Sequence, residues 1–299
     1  MKPWNLEIRP SACANQVFFQ NLASHFMKVS FILSYLSPSI KQCFSGKRLF
    51  GVTRFSLLKH EECILSVLSA EKIRHLSLGV PVLDEVFPGF ELGDFAVLHG
   101  DAASFISFVL SVRCQLPPNK GGLGSSVVFI DGGNSFNPYP VSEIARSHGL
   151  DSRLVLEKIY ISRAFTAYQL SSLILEKLEP FLRRKRSKLL VVSDATSLFF
   201  DRDIPKTEAK DLFIKVCAKL SEIAARKKSI VVTSFFPERR SKRGVFFEAV
   251  LFGRSNILVR FRKRGKILNF VLEEHPRINR FSMDLPTADY APLTDFMEV

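Results

Sequence analysis

A glycine, an aspartate and two serines follow one short apolar run, and these are residue types from which phosphate sites are built. Gly100 and Asp101 come directly after the run at 95–99, and Ser104 and Ser107 follow a few residues later. Glycines let backbone N–H groups close around phosphate oxygens, and a serine hydroxyl can hold Mg²⁺. This stretch is therefore the first place to look for nucleotide chemistry.

The lysine of a phosphate-binding loop is missing from this stretch. Such a loop follows the pattern Gly-x-x-x-x-Gly-Lys-Ser/Thr, in which the lysine reaches the terminal phosphate. Counted without gaps from Gly100, the second glycine becomes Phe105, the lysine becomes Ile106 and only Ser107 keeps its type. We expect Phe105 and Ile106 to fill the space that a triphosphate needs, so nucleotide binding is not the natural expectation.

Apolar runs alternate with amphipathic stretches from residue 79 onward, which is typical of a doubly wound parallel sheet. The predicted strands are 95–99, 126–131, 158–162, 189–193, 229–233, 256–262 and 267–272. We expect the last two strands to form a C-terminal β-hairpin, and helices to fall between the others, as at 141–148. The sequence predicts an α/β fold with a mostly parallel sheet.

Several segments resemble the core of the RecA/RadA recombinases, especially the archaeal RadA branch and its paralogues. The segments that carry the resemblance are 79–93, 115–117, 120–124, 126–138 and 159–170. The resemblance implies a RecA-like P-loop NTPase core over residues 75–285. Residues 1–74 then form an N-terminal region without a recognisable pattern, and residues 286–299 form a C-terminal tail.

The resemblance also allows a second alignment of the degenerate loop. Anchored on 115–117, the loop and its helix are about three residues shorter than the family pattern, and Ala103 and Ser104 replace the lysine and threonine. Both alignments lose the lysine. The candidate nucleotide-binding positions, all degenerate, are Gly100, Asp101, Ala103, Ser104, Ser107 and Asp194.

Three further positions that the family uses for ATP hydrolysis are replaced. Gly133 stands where the resemblance implies the glutamate that activates water, and Phe235 stands where it implies the glutamine that senses the γ-phosphate. Ser193 takes the place of the Mg²⁺-associated aspartate, and Asp194 follows one residue later, which on a strand would turn its side chain to the opposite face. We predict a pseudo-ATPase with no catalytic residue, metal or cofactor. ATP and Mg²⁺ would bind only if the atypical loop still works.

The net charge of +13 favours a polyanionic partner, and the cations are clustered at 183–188, 226–228, 239–243 and 260–266. In the resembled family, the segment after the fifth strand is a flexible loop that faces single-stranded DNA. Here that loop is expected at 237–244, and we predict that it binds DNA phosphates without reading sequence. The predicted DNA-binding residues are Arg239, Arg240, Lys242 and Arg243. The runs at 183–188 and 260–266 have a structural explanation as well, as solvated surface and as a strand.

Five scattered cysteines without a Cys-x-x-Cys pair indicate neither a disulfide framework nor a zinc site, so we predict a cytoplasmic protein. The apolar stretch at 29–36 is well below the roughly 20 residues that span a bilayer. The first residues lack the apolar run of a signal peptide. We therefore expect no membrane partner.

Three functions remain open at this point. The first is a non-catalytic recombinase paralogue that binds single-stranded DNA, a RadA-type recombinase or another RecA-fold protomer, and assists homologous recombination and DNA repair. The second is an ATP-dependent DNA-binding ATPase with an atypical loop. The third is an interaction scaffold with a RecA fold that binds neither nucleotide nor DNA. The Phe-x-x-Ala peptide by which family members dock onto one another has only a faint counterpart, at 55–58.

Overall fold

One mixed sheet organises the described part of the chain. A computed structural model describes residues 75–226, 228–236, 241–264 and 267–285, all within a unit that begins at Ile73. The strands are β1 (Phe95–Gly100), β2 (Val127–Asp131), β3 (Ile159–Arg163), β4 (Leu189–Ser193), β5 (Ile230–Phe235), β6 (Ile257–Arg264), β7 (Ile267–Glu274) and β8 (Phe281–Leu285). Their order in the sheet is β3-β2-β4-β5-β1-β6-β7-β8.

The first six strands in this order, from β3 at one edge to β6, pair in parallel. β7 and β8 continue the sheet with antiparallel pairing. The predicted α/β fold with a mostly parallel sheet is confirmed. The predicted terminal hairpin, β6 and β7, is extended by a strand that the sequence analysis missed. In β8, Phe281, Met283 and Leu285 pack on the core and alternate with the exposed Ser282 and Asp284. This two-residue period is a strand signal.

Helices cover both faces of the sheet. They are α1 (Pro81–Asp84), α2 (Ala103–Arg113), α3 (Pro138–Ser147), α4 (Ser152–Glu157), α5 (Ala167–Ser172), α6 (Leu178–Lys185), α7 (Lys206–Ala225) and α8 (Lys242–Phe252). Residues of α1 to α4 pack in one hydrophobic cluster and residues of α5 to α8 in another, so the sheet lies between two helical layers. A π-helical turn, Leu173–Lys177, joins α5 to α6.

The central strands are buried, apart from Gly100 at the end of β1, because helices cover them on both sides. Their alternate side chains enter the two clusters in turn. In β2, Phe129 belongs to the α1–α4 side and Ile130 to the α5–α8 side. This packing fixes the direction of the last side chain of each strand, and the candidate site lies where these strands end.

The described residues carry no helix with the length and apolarity needed to cross a membrane. The cysteines that the structure describes, Cys114 and Cys217, are buried and unpaired. Burial raises the pKa of each thiol to about 12, so both side chains are neutral at physiological pH and behave as small apolar groups.

Candidate functional site

The turn after β1 contains only two residues, Asp101 and Ala102, before α2 begins. β1 pairs with β6 up to its last residue, with Gly100 opposite Phe261. The Asp101 N–H donates to the Phe261 carbonyl oxygen at 3.0 Å, and Asp101 Oδ2 accepts from the Lys263 N–H at 2.8 Å. The backbone of β6 therefore holds this turn in place, and the turn forms no loop that could surround a phosphate.

Gly100 is required here by the close approach of β6. Its φ is +95°, and a Cβ at this position would lie 2.1 Å from the Phe261 carbonyl oxygen. No real Cβ contact is that short, and a positive φ is itself unfavourable for other residues. The glycine that the sequence offered as the start of a phosphate-binding loop thus has a structural explanation.

The other residues of the degenerate loop lie in α2 and point mostly into the core. Phe105 and Ile106 are only 9% and 3% exposed and belong to the α1–α4 cluster. Ala103 is buried, and the fully buried Ser107 donates its hydroxyl to the Ala103 carbonyl oxygen at 3.0 Å. Ser104 is partly exposed. In either alignment, the residue in the lysine position is enclosed by the core.

Asp131, at the end of β2, anchors the chain segment that follows it. Its side chain is fully buried. Its Oδ1 accepts from the Ser135 N–H at 2.9 Å, and its Oδ2 accepts from the Phe136 N–H and from Arg163 Nε, both at 3.1 Å. Three donors to one buried carboxylate satisfy its charge within the protein. Asp131 is therefore a structural centre at this edge of the sheet.

Ser193 and Asp194 lie beside this centre, at the end of β4. Ser193 Oγ lies 2.6 Å from Ser135 Oγ. Asp194 lies just beyond the strand with a φ of +49°, and its N–H donates to Ser234 Oγ at 2.9 Å. Burial raises the pKa of the Asp194 carboxyl, and the neighbouring Asp131 raises it further, whereas hydrogen bonds with Ser197 lower it.

The Asp194 side chain points towards Gly133, the position where the resemblance implies a glutamate. A Cβ at Gly133 would lie 2.7 Å from Asp194 Cβ and 2.8 Å from Asp194 Oδ2. A glutamate would fit there only if Asp194 moved. Gly133 and Asp194 are therefore parts of one packing arrangement.

Phe235, in the position of the γ-phosphate-sensing glutamine, is fully buried at the end of β5. It lies opposite His99 in the sheet, and its ring centroid is 5.8 Å from that of Phe252 in α8. His99 is also buried, with Nε2 2.7 Å from Glu273 Oε2. Burial lowers the pKa of His99, although Glu273 opposes this effect. Both side chains pack on the α5–α8 side of the sheet.

The structure thus places the predicted nucleotide-site residues at the carboxyl edge of the sheet, where doubly wound folds bind their ligands. Gly133, Ser193 and Asp194 come together around Asp131, whereas Gly100 lies at the end of β1, on the far side of β5. Within the described ranges, no group of three or more histidine, cysteine, aspartate or glutamate side chains could hold a metal ion.

Two of the four predicted DNA-binding residues, Lys242 and Arg243, lie at a helix start. Arg239 and Arg240 lie outside the described residues. The expectation that the loop reaches residue 244 is wrong, because α8 begins at Lys242 and Ser241 Oγ caps it by accepting from the Gly244 N–H at 2.9 Å. Lys242 is exposed. The Arg243 guanidinium lies 5.8 Å from the Phe247 ring centroid, and its Nε and Nη2 are buried without a hydrogen-bond partner among the described residues.

An apolar pocket that no local sequence pattern indicated lies at the β3 edge of the sheet. This β3-edge pocket has a volume of about 260 Å³ and is lined by Val128, Ile130, Tyr160, Ile161, Ser162, Leu173, Lys177, Leu178 and Phe181. Among the described strands, β3 pairs only with β2, so its other side is open. Ile161 on this edge strand is 45% exposed. An isoleucine in a predicted strand indicates an exposed apolar surface only when the strand order places that strand at an edge.

The chain matches a known protein family. The model of the family described as Rad51 matches residues 70–233, which is more than half of the 299 residues. The matched range includes the turn after β1 and the cluster around Asp131. It ends within β5, before Phe235 and before the helix start at Lys242.

Proposed function

This chain belongs to the Rad51 family, and on that basis we propose that it is a non-catalytic recombinase paralogue. In this role it binds single-stranded DNA and an active RecA-fold recombinase, and it assists homologous recombination and DNA repair. This role of the protein requires no ATP, no Mg²⁺ and no chemical step. Its contribution is binding alone.

The observation that carries the proposal is the two-residue turn between β1 and α2. A phosphate-binding loop needs several consecutive backbone N–H groups that face a common centre. Here the Asp101 N–H donates to β6, and the side chains in the lysine position are buried. A working ATPase with an atypical loop is therefore the weaker alternative.

The β3-edge pocket supports the binding of another RecA-fold protomer. An edge strand presents unpaired N–H and C=O groups, to which an extended segment of a partner can add as a further strand. The adjoining pocket can then take an apolar side chain from that segment. A cavity of about 150 Å³ holds a benzene ring, so the 260 Å³ of this pocket offers room for an aromatic side chain.

The π-helical turn Leu173–Lys177 contributes Leu173 and Lys177 to the lining of the pocket. Such turns are rare in proteins, and those that occur are often found at functional sites. We propose that this pocket receives the docking segment of the active recombinase. The nearest trace of such a segment in this chain, at 55–58, lies outside the described residues.

Filling the β3-edge pocket should weaken binding of the recombinase. In a Ser162→Phe variant, the new ring would occupy the pocket from inside. We expect affinity for the purified active recombinase of the same cells to fall by at least about tenfold, because deeply seated apolar anchors contribute about 2 kcal/mol or more. Isothermal titration calorimetry with the two purified proteins measures this loss.

The matched control is Ser282→Phe, which makes the same replacement on β8 at the opposite edge of the sheet, where Ser282 is exposed. This variant should bind the recombinase like the wild type. Equal affinity of the Ser162→Phe variant and the wild type would rule out the pocket. No binding by the wild type would contradict the proposed recombinase partner.

The start of α8 supports the binding of DNA. Arg243 has buried guanidinium nitrogens without partners among the described residues, and Lys242 beside it is exposed. Buried charged donors are costly unless they are paired. A DNA phosphate at the helix start would supply an acceptor to Arg243, and it would also accept from free N–H groups of the first turn.

Replacing Arg239, Arg240, Lys242 and Arg243 together with alanine should weaken single-stranded DNA binding equally for all sequences. The slope of log affinity against log salt concentration should become flatter by about 0.7 for each lost phosphate contact. Fluorescence anisotropy over a salt series gives this slope. A control variant with alanine at Lys120, Arg146, Arg153 and Lys158 removes the same charge from the α1–α4 side of the sheet. Identical slopes in both variants would contradict the placement of DNA at α8.

A further inference from the structure

Two basic segments that are distant in the sequence meet at the amino edge of the sheet. Arg183 and Arg186 come just before β4, and Arg226 and Lys228 come just before β5. These strands are parallel neighbours, so the residues that precede them lie side by side. Ser229 Oγ fixes the junction by donating to the Ser187 carbonyl oxygen at 2.9 Å.

A cleft opens between the C-terminal ends of α6 and α7 at this junction. This amino-edge cleft has a volume of about 340 Å³ and is lined by Glu179, Leu182, Arg183, Arg186, Ser187, Ile223, Arg226, Lys228 and Ser229. Its apolar and hydroxyl-bearing residues are buried, whereas its four cations are exposed. The cleft therefore has a buried floor and an exposed, positively charged rim.

The positive charge of the cleft exceeds what the protein itself neutralises. Glu179 pairs with Arg183, Lys219 and Arg226, and Glu222 pairs with Lys219 and Arg226. Arg186 and Lys228 have no ion pair among the described residues. Five cations thus face two carboxylates. The negative ends of α6 and α7 offset about one further charge, which leaves a surplus of about two.

The remaining cations of the same run have other contacts. Arg184 lies over the Phe181 ring at 5.2 Å, and Lys185 lies over the Tyr160 ring at 4.2 Å. Lys188 Nζ donates to the Leu123 carbonyl oxygen at 3.3 Å. Packing explains these three residues but does not explain the two unpaired cations of the cleft.

The backbone of Arg186 gives an independent indication. Arg186 follows the last residue of α6 with a φ of +51°, a conformation that glycine adopts at little cost and that arginine does not. A glycine would make this helix end more stable. An unfavourable backbone conformation that is kept at an exposed charged residue points to a role in binding.

We propose that the amino-edge cleft binds phosphates of a DNA backbone, with Arg186 and Lys228 as the principal contacts. The guanidinium of Arg186 suits bidentate contact with a phosphate, and Lys228 adds a point charge. The contact carries no sequence information, because no base edge is involved. This site is separate from the DNA contact at α8, since the carboxyl edge lies roughly 17 Å away, the length of a five-residue strand.

The test separates binding from stability. Arg186→Gly removes the charge and relieves the backbone, so we expect a higher midpoint of thermal unfolding together with weaker DNA binding. Adding Lys228→Ala should flatten the slope of log affinity for oligothymidylate against log salt by about 1.4, or about 0.7 for each contact. A variant that is more stable and yet binds less DNA cannot be explained by misfolding.

The control is Arg146→Ala, which removes an exposed charge from α3 and should leave the slope unchanged. A slope in the Arg186→Gly, Lys228→Ala variant equal to that of the control would overturn the proposal. So would a loss of binding to phosphatidylserine vesicles or inorganic phosphate with DNA binding intact. If the alanine variant at α8 loses its DNA contact but this variant does not, the cleft fails and the proposed function stands.

Discussion

The purified protein is expected to release phosphate from ATP no faster than a buffer blank, with or without single-stranded DNA. The loss of one transition-state donor slows a reaction by about 10²–10³, and the loss of a charged group that stabilises phosphoryl transfer costs about 10³–10⁵. In this chain the lysine position is buried, Gly133 carries no base, and Ser193 replaces the aspartate.

A phosphate-release assay with an active family recombinase as the positive control measures this expectation. Nucleotide should also leave the thermal unfolding midpoint unchanged, because a ligand that binds the folded state raises it. The Ile106→Lys replacement, which restores the lysine in the ungapped alignment, should lower stability and give no activity, since residue 106 is enclosed by the core. DNA-stimulated hydrolysis that disappears in an Asp194→Asn variant would contradict the proposal.

Gly100→Ala is expected to lower the free energy of unfolding by about 4 kcal/mol, at the upper end for a single replacement. The added Cβ would lie 2.1 Å from the Phe261 carbonyl oxygen, so β1 and β6 would have to separate where the sheet is buried. The positive φ adds a further cost of about 1 kcal/mol. Urea unfolding, followed by circular dichroism, measures the change.

Gly124→Ala is the matched control. Gly124 also has a positive φ, +58°, but no heavy atom lies within 4 Å of the position of its Cβ. This variant should lose only about 1 kcal/mol from the backbone. The difference between the two variants isolates the approach of β6 to the turn. Equal losses would mean that the turn is not held by β6 in solution.

The fold could largely be predicted from the sequence, because its signals are local. The central strands are continuous apolar runs, and the predicted β4 has the observed bounds, Leu189–Ser193. β8 also has an alternating pattern, but it is short and follows a hairpin that is complete without it. The helix start at Lys242 had a signal as well, since Ser241 is a preferred N-cap residue.

For the candidate site, the sequence predicted which residue types of the family pattern are absent, but not how the residues that replace them are arranged. The missing lysine and glutamate are visible as residue types. The attachment of the turn to β6 depends on contact between Asp101 and Phe261, which are distant in the sequence and come together only through the strand order. The β3-edge pocket and the amino-edge cleft have the same origin. Local patterns indicate a strand or a basic run but do not identify its neighbours in space.

The two-residue turn between β1 and α2 also has a consequence for the residence time of this protein on its partners. A protein that hydrolyses ATP can use each turnover to time its release. In the proposed role this chain has no such timer, so its occupancy follows concentration and dissociation rate alone, by mass action. Its own occupancy of DNA would then stay the same when the cellular ratio of ATP to ADP falls, while recombinases that depend on the nucleotide respond to that change.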